Sequence, residues 1–323
     1  MAGRAGGAGG SLRVRAFAKI NLTLRVLGVR PDGFHELRTT FQSIALHDTL
    51  TLTQHASPLR SGAPMEIVCA DPACPVDRTN LVWRAAHAMW RAAGRRGDPS
   101  GLRVRLVKRI PMQAGLGGGS SDAAATLRAC AAWWGVDDAK VRRAAARLGS
   151  DVPYFLEGGT ALGAGRGDRL LLLADRTASW AVLVLPSFGV STKDAYDWLD
   201  AARRGASRAG GAGGDNAAND LEAPVVAHHP EIGRIVRALA RAGAEPAAMS
   251  GSGSAVFGLF SSRARAESAA RRLSAGRRRV ILTRTLSRAG YERRTSLGSL
   301  GSLERCRPRA RGSADLPPKV LIV

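Results

Sequence analysis

Cysteine, lysine and aromatic residues are all scarce in this chain of 323 residues, and each shortage removes a class of protein. The four cysteines, Cys69, Cys74, Cys130 and Cys306, are too few for a disulfide scaffold, and no pair has C-x-x-C spacing. They read as reduced thiols, and no cluster with zinc-ligand spacing accompanies them, so no protein-held metal is expected. Aromatic residues amount to 5%, which argues against a surface that stacks single-stranded bases. No apolar run approaches the ~18 residues of a membrane-spanning helix; the stretch from Trp180 to Phe188 is cut by Pro186. The opening Gly/Ala residues lack the apolar segment of about 7–15 residues found in secretion signals. The expectation is a cytoplasmic protein with no membrane partner.

Acids are outnumbered too, with 26 Asp plus Glu against 48 Lys plus Arg, a formal charge of +22. Between Ser261 and Arg311 there are 15 arginines and three acids, Glu267, Glu292 and Glu304, so the excess is mostly C-terminal. Lysine occurs only at 19, 108, 140, 193 and 319. An arginine bias along the whole chain fits a solvated surface better than a nucleic-acid groove, and a nucleic-acid partner is not expected. What is present is ordinary for a folded protein: 45% hydrophobic and 23% charged residues, in a length that suits two domains.

Period-two alternation predicts strands at Leu12 to Arg15 and Ile20 to Val26, a turn at Pro31-Asp32-Gly33, and strands at Phe41 to Leu46, Asp48 to Thr53 and Glu66 to Ala70. Asn80 predicts the N-cap of a helix through Ala93. Leu102 to Ile110 alternates again, a helix starts near Ser120, and another covers Asp137 to Leu148. Thr160 to Gly167 is glycine-rich, and a domain boundary is placed between 165 and 179. Beyond it come a strand at Trp180 to Leu185, a low-complexity loop at Ala201 to Ala218, helices from Asn219 and from Pro230 to Ala242, and a Gly/Ser turn running into a strand at Met249 to Phe260. A helix at Arg263 to Gly276 and a strand at Val280 to Leu286 complete the pattern. The mixed order implies an α+β fold.

The segment Pro111-Met112-Gln113-Ala114-Gly115-Leu116-Gly117-Gly118-Gly119-Ser120-Ser121-Asp122 carries the most chemistry. Four glycines let a ligand approach the backbone, and the loop opens straight into a helix whose free N–H groups and positive dipole end attract phosphate. Ser120 and Ser121 add hydroxyls for a phosphate oxygen or Mg²⁺. A flexible linker is the plain alternative. Lys19 lies in an apolar strand, where it is either partnered and buried or on an edge facing water. Asp151, in Gly149-Ser150-Asp151-Val152-Pro153, is either a partly buried functional carboxylate or a helix N-cap. Met249-Ser250-Gly251-Ser252-Gly253-Ser254-Ala255 is a second small-residue turn, either part of the same cleft or a tight hairpin.

In this order, the segments resemble the GHMP kinase superfamily, named for galactokinase, homoserine, mevalonate and phosphomevalonate kinases. Its three motifs correspond to Ala18 to Leu22, Pro111 to Ala124 and Met249 to Ala255. The likeness is closest to the branch that phosphorylates a cytidine-diphosphate-linked methylerythritol in the non-mevalonate isoprenoid route. It is carried by Ala18-Lys-Ile-Asn-Leu22, Arg30-Pro-Asp-Gly-Phe-His-Glu-Leu37, Gly115 to Ala124 and Gly149 to Phe155, and extended by Gly189-Val-Ser-Thr192 and Asn219-Asp-Leu-Glu222. The basic residues 290–323, where the pattern collapses into Arg, Ser, Gly and Pro, read as a disordered tail that departs from the family's compact pattern. The resemblance implies a ribosomal-S5-like domain, here over 11–165, and a ferredoxin-like domain, here over 175–289. It implies ATP with Mg²⁺ as donor, bound along Pro111 to Ser121. Lys19 and Asp151 are implied as the catalytic pair, and Asn21, Phe34, His35, Thr192 and Tyr196 as the substrate side. Relatives often carry Tyr where this chain has Phe34, so a ring face is kept and a hydroxyl lost. The implied partner is a small cytidyl diphosphate sugar alcohol, and the implied state a monomer or weak homodimer. The competing expectations are another GHMP kinase with a different alcohol, and an RNA-binding protein using the S5-like domain and the basic tail.

Overall fold

The structure, a computed structural model, describes residues 10–55, 59, 62–208, 218–274 and 278–296. It opens with one long antiparallel hairpin, β1 (Ser11–Val29) and β2 (His35–Gln54), joined through the turn at Pro31-Asp32-Gly33. Each arm is a single strand where the alternation predicted two. The interruptions are register shifts, between Phe17 and Lys19, Asn21 and Thr23, and Val26 and Gly28. A bulge switches the face that side chains point to, so period two breaks while pairing continues. Phe17, Ala18, Lys19 and Ile20 are consequently all buried in succession.

β3 (Met65–Cys69), α1 (Leu81–Ala92), β4 (Leu102–Val107), α2 (Gly118–Trp134), α3 (Asp138–Leu148), α4 (Tyr154–Glu157), β5 (Thr160–Gly165) and β6 (Arg169–Leu172) complete the first layer pair. The strands form the order β3-β4-β2-β5-β6, with β1 paired to β2; among the described strands of this sheet only β3 and β4 pair in parallel. Asn80 caps α1 by accepting the Val82 N–H, and Asp137 caps α3 by accepting that of Lys140. Leu50, Leu52, Met89, Val104 and Leu127 join sheet and helices in one core. The hairpin β5–β6 was not predicted, because its glycines read as loop. Gly163 is needed there: a Cβ on it would meet the Phe41 ring at 2.7 Å. β6 also carries the first sheet past residue 165, the end expected for its domain.

The second half runs β7 (Trp180–Leu185), α5 (Thr192–Arg208), α6 (Glu222–His228), α7 (Pro230–Arg241), β8 (Ala247–Met249), β9 (Val256–Phe260), α8 (Arg263–Leu273) and β10 (Arg279–Arg284). The sheet is antiparallel with order β10-β7-β9-β8, the ferredoxin-like arrangement. Two expectations are corrected. Ala201 to Arg208 belongs to α5 instead of a loop, since alanine and arginine are strong helix formers; 209–217 lie outside the described residues. Order also does not end at Gly290: α9 (Arg288–Thr295) is capped by Ser287 and buries Tyr291 against Phe17 and Leu286. One aromatic anchor leaves no periodic stripe to read. The rest of the expected tail, 297–323, lies outside the described residues.

A third cluster, including Ala18, Ile20, Ile44, Leu116, Leu183, Phe257 and Ile281, joins the two sheets. Among the described residues no helix is long and apolar enough to cross a membrane.

Candidate active site

Where the halves meet there is a cleft of about 740 Å³ whose lining includes Lys19, Asn21, Pro111 to Ser120, Asp151, Thr192 and Tyr196. The β1 bulges deliver Lys19 to it. The residue is 3% exposed, so the edge-strand reading is excluded. Its ammonium donates to Asn21 Oδ1 at 2.7 Å and to the Gly115 carbonyl at 2.9 Å, and lies 3.4 Å from Asp151 Oδ2. An ammonium removed from water needs such partners. Asn21 is fixed in turn: its amide donates to Thr39 Oγ1, whose hydroxyl donates to the Thr23 carbonyl.

Asp151 sits in the turn between α3 and α4. The N-cap position of α4 is held by Pro153, so the capping reading of Asp151 is excluded. Its carboxylate is 29% exposed and points at the cleft beside a nearly buried ammonium. Tyr196 reports the same charge: burial, and then the negative charge of Asp151, push its phenol well above the ordinary tyrosine range.

The glycine loop ends in a left-handed Gly117 that caps α2, with no side chain satisfying the first turn. Its fold is imposed by close approaches. A Cβ on Gly115 would lie 2.0 Å from the Ser250 carbonyl oxygen, and one on Gly117 would lie 2.6 Å from the Phe155 ring and 3.2 Å from Lys19 Cε. The loop is therefore wedged between the 249–255 turn and the Lys19–Asp151 pair, which excludes a flexible linker. Ser250 Oγ donates to the Gly115 carbonyl at 2.9 Å, and Asn219 donates to the carbonyls of Met249 and Gly251. Ser120 lines the cleft. Ser121 is a correction: it is buried, and its hydroxyl donates to the Phe17 carbonyl at 2.7 Å, so it braces α2 against the bulge in β1 instead of facing a ligand.

Beneath the loop is a group that sequence reading missed. Lys108 bridges Asp48 and Asp122 at 2.5 and 2.8 Å, all three nearly or wholly buried. One ammonium cannot compensate two buried carboxylates fully. Burial, reinforced by the charge of Asp48, pushes Asp122 up to about 8 despite Lys108. Burial lowers Lys108, but the charges of Asp122 and Asp48 outweigh it and raise the ammonium above its usual value.

On the other wall, Thr192 meets Ser252 at 3.1 Å between hydroxyls. Phe34 is 54% exposed with the Arg166 guanidinium 5.1 Å from its ring centre, and it stands at the rim. His35 stacks on Tyr196 with ring centres 4.5 Å apart, and its Nε2 lies 3.1 Å from both carboxylate oxygens of Asp200. Neither Phe34 nor His35 is part of the cleft lining itself. Asn219 opens the Asn219-Asp-Leu-Glu222 segment, whereas Arg166 and Asp200 belong to none of the motifs read from the sequence. The one available signal was the four-residue spacing of Tyr196 and Asp200 on a helix.

The family described as GHMP kinases N terminal domain matches residues 80–159, and GHMP kinases C terminal matches 199–277. A 4-diphosphocytidyl-2-C-methyl-D-erythritol kinase from Moorella thermoacetica is 44% identical over 85% of this chain and 99% of its own length. One from Solibacter usitatus is 46% identical over 77% of this chain and 81% of its own. A crystal structure of 4-(cytidine 5'-diphospho)-2C-methyl-D-erythritol kinase superposes with TM-score 0.66 at 36% identity, covering 85% of this chain and 99% of that one. The homoserine kinase of Cytophaga hutchinsonii, at 16% identity and TM-score 0.62 over 89% of this chain and 97% of its own, shares the fold. By sequence along most of its length and by the architecture of both halves, the chain belongs to the 4-diphosphocytidyl-2-C-methyl-D-erythritol kinase family of the GHMP kinases.

Proposed function

We propose that the protein transfers the γ-phosphoryl group of ATP to the 2-hydroxyl of 4-diphosphocytidyl-2-C-methyl-D-erythritol, giving the 2-phosphate and ADP in the non-mevalonate route to isoprenoid precursors. The observation that carries the reading is the Lys19–Asp151 pair, 3.4 Å apart at one cleft with the glycine loop. Phosphoryl transfer asks the protein mainly to position the reactants and to neutralise spreading negative charge. In this reading the backbone from Gly115 to Ser120 holds the donor phosphates at the start of α2. Asp151 accepts the proton of the attacking hydroxyl, and that oxygen displaces ADP from phosphorus. Lys19, steadied by Asn21 and Gly115, stabilises negative charge on the attacking oxygen.

Among the described residues no group of three or more His, Cys, Asp or Glu is arranged to hold a metal ion. Among the oxygen donors that line the cleft, the Ser120 hydroxyl and the Asp151 carboxylate are hard ligands of the kind Mg²⁺ takes alongside substrate phosphates. Bound there with ATP, Mg²⁺ would neutralise charge on the phosphate oxygens. On the acceptor side, the pair His35 and Tyr196 reads the pyrimidine, with Phe34 offering a ring face at the rim and Asn21 and Thr192 facing the sugar alcohol. The same reading takes the enzyme to act in the cytoplasm as a monomer or weak homodimer.

A coupled ADP-release assay over a panel of alcohols tests the proposal. The cytidyl substrate is expected to turn over far faster than homoserine, mevalonate or galactose. Equal or greater turnover with an alcohol lacking a nucleobase would overturn it.

A further inference from the structure

The contact between His35 and Asp200 joins the two halves of the molecule, and the proposed activity leaves Asp200 without a role. His35 opens β2 of the first sheet, and Asp200 lies on α5 of the second half. Tyr196 and Asp200 are four residues apart on that helix, so they share a face. One supplies the ring stacked on the imidazole, and the other a carboxylate whose two oxygens are each 3.1 Å from Nε2. The imidazole is thus held in two directions, in its plane and across it. Another acid on the same helix, Asp197, is paired with Lys193. The side chains of His35 and Asp200 are 15% and 27% exposed, so water competes only partly for the bond.

An ionised carboxylate only accepts hydrogen bonds. Nε2 must therefore carry the proton that points at Asp200. In the neutral ring this leaves a lone pair on Nδ1, because the partner of one nitrogen decides the state of the other. We propose that Asp200 is a specificity-determining, positioning residue: by fixing the His35 tautomer it makes Nδ1 a hydrogen-bond acceptor, suited to the exocyclic amine of cytosine and opposed to the carbonyl that uracil presents in its place. This inference rests on the reading of His35 as the pyrimidine contact. Asp200 acts through His35 and touches no reacting atom.

Two measurements test it. Nitrogen NMR of histidine-labelled protein, with His35 assigned by the signals lost in His35→Ala, should show Nε2 protonated and Nδ1 bare at neutral pH. An Nδ1–H tautomer or a doubly protonated ring would overturn the proposal. In steady-state kinetics, Asp200→Ala should raise KM for the cytidyl substrate about tenfold, the scale of one hydrogen bond left unmade. It should leave KM for ATP and kcat at saturation nearly unchanged, and narrow the preference over the uridyl counterpart. Asp200→Glu, which keeps an acceptor, should recover much of that preference. An unchanged cytidyl KM in Asp200→Ala, while His35→Ala raises it, would defeat the role of Asp200 alone. An unchanged cytidyl KM in His35→Ala would defeat the reading of His35 beneath it. A loss of kcat together with a large fall in melting temperature in Asp200→Ala would mark a structural role and also overturn the proposal.

Discussion

The glycines of the loop do not serve one purpose, and substituting them singly with alanine separates fold from ligand. Gly115 has φ +72°, and its added Cβ would lie 2.0 Å from the Ser250 carbonyl oxygen, a backbone atom that has no flexible end to swing aside. The two loops would have to part by roughly 1 Å, a misplacement that can cost about 10²-fold in rate. The left-handed backbone adds about 1–2 kcal/mol for a residue with a Cβ. The Gly115 carbonyl would move with it, and that oxygen accepts from both Lys19 and Ser250 at 2.9 Å. Gly119 differs: its Cβ would meet only Leu81 Cδ1, at an ordinary 3.7 Å, and its backbone is helical. Alanine there should gain about 0.5–1 kcal/mol of helix stability. Gly115→Ala is thus expected to lose about 2–4 kcal/mol of stability and about 10²-fold or more in kcat/KM. Gly119→Ala should melt at or above the parent, with any defect confined to KM for ATP. Denaturant melts and the ADP-release assay read both effects. Equal melting and equal turnover for the two variants would refute the reasoning.

Asp151→Asn should lose about 10²-fold or more in kcat, the low end for removing a general base, with KM for the cytidyl substrate changed little; near-normal turnover would remove Asp151 from that role. Tyr291→Phe deletes the 2.7 Å bond from its hydroxyl to the Phe155 carbonyl and leaves that buried oxygen unpaired. A loss of about 1–3 kcal/mol in urea unfolding is expected, and none would contradict the bond's importance. Asp122 links stability to pH: between its ordinary 3.8 and about 8, the unfolded chain releases the proton that the folded chain retains. Stability should therefore fall as pH rises through that window, and Asp122→Asn should flatten the fall. Identical pH dependence of melting in parent and variant would contradict this.

Much of the site was legible because its chemistry depends on rare local patterns. Four glycines before an alanine-rich helix, and one lysine inside an apolar strand, mark Gly115 to Gly119 and Lys19 without any tertiary information. What escaped was set by contacts far apart in sequence. Ser121 looked like a phosphate ligand because it follows Ser120, yet one further step around the helix turns its hydroxyl into the Phe17 carbonyl. Asp48, Lys108 and Asp122 are separated by 60 and 14 residues, and their union is made only by the sheet and the helix above it. The strands β5 and β6 were hidden because Gly163 is small for the sake of Phe41, a neighbour on another strand.

Among the described residues α9 comes last in sequence, after the strands of the second half, but it packs on the first, with Tyr291 in a small cluster with Phe17. Tyr291 covers Phe17, its hydroxyl holds Phe155, Arg128 donates to Thr295, and Arg288 holds the carbonyls of Gly158 and Thr160. Phe155 in turn limits the space at Gly117. The nucleotide-loop half is therefore discontinuous along the polypeptide, and a fragment cut at the apparent boundary would leave Phe17 open to water. During synthesis, that half cannot complete its interior until the ribosome has delivered residue 295, so the chemistry of the loop waits on the far end of the chain.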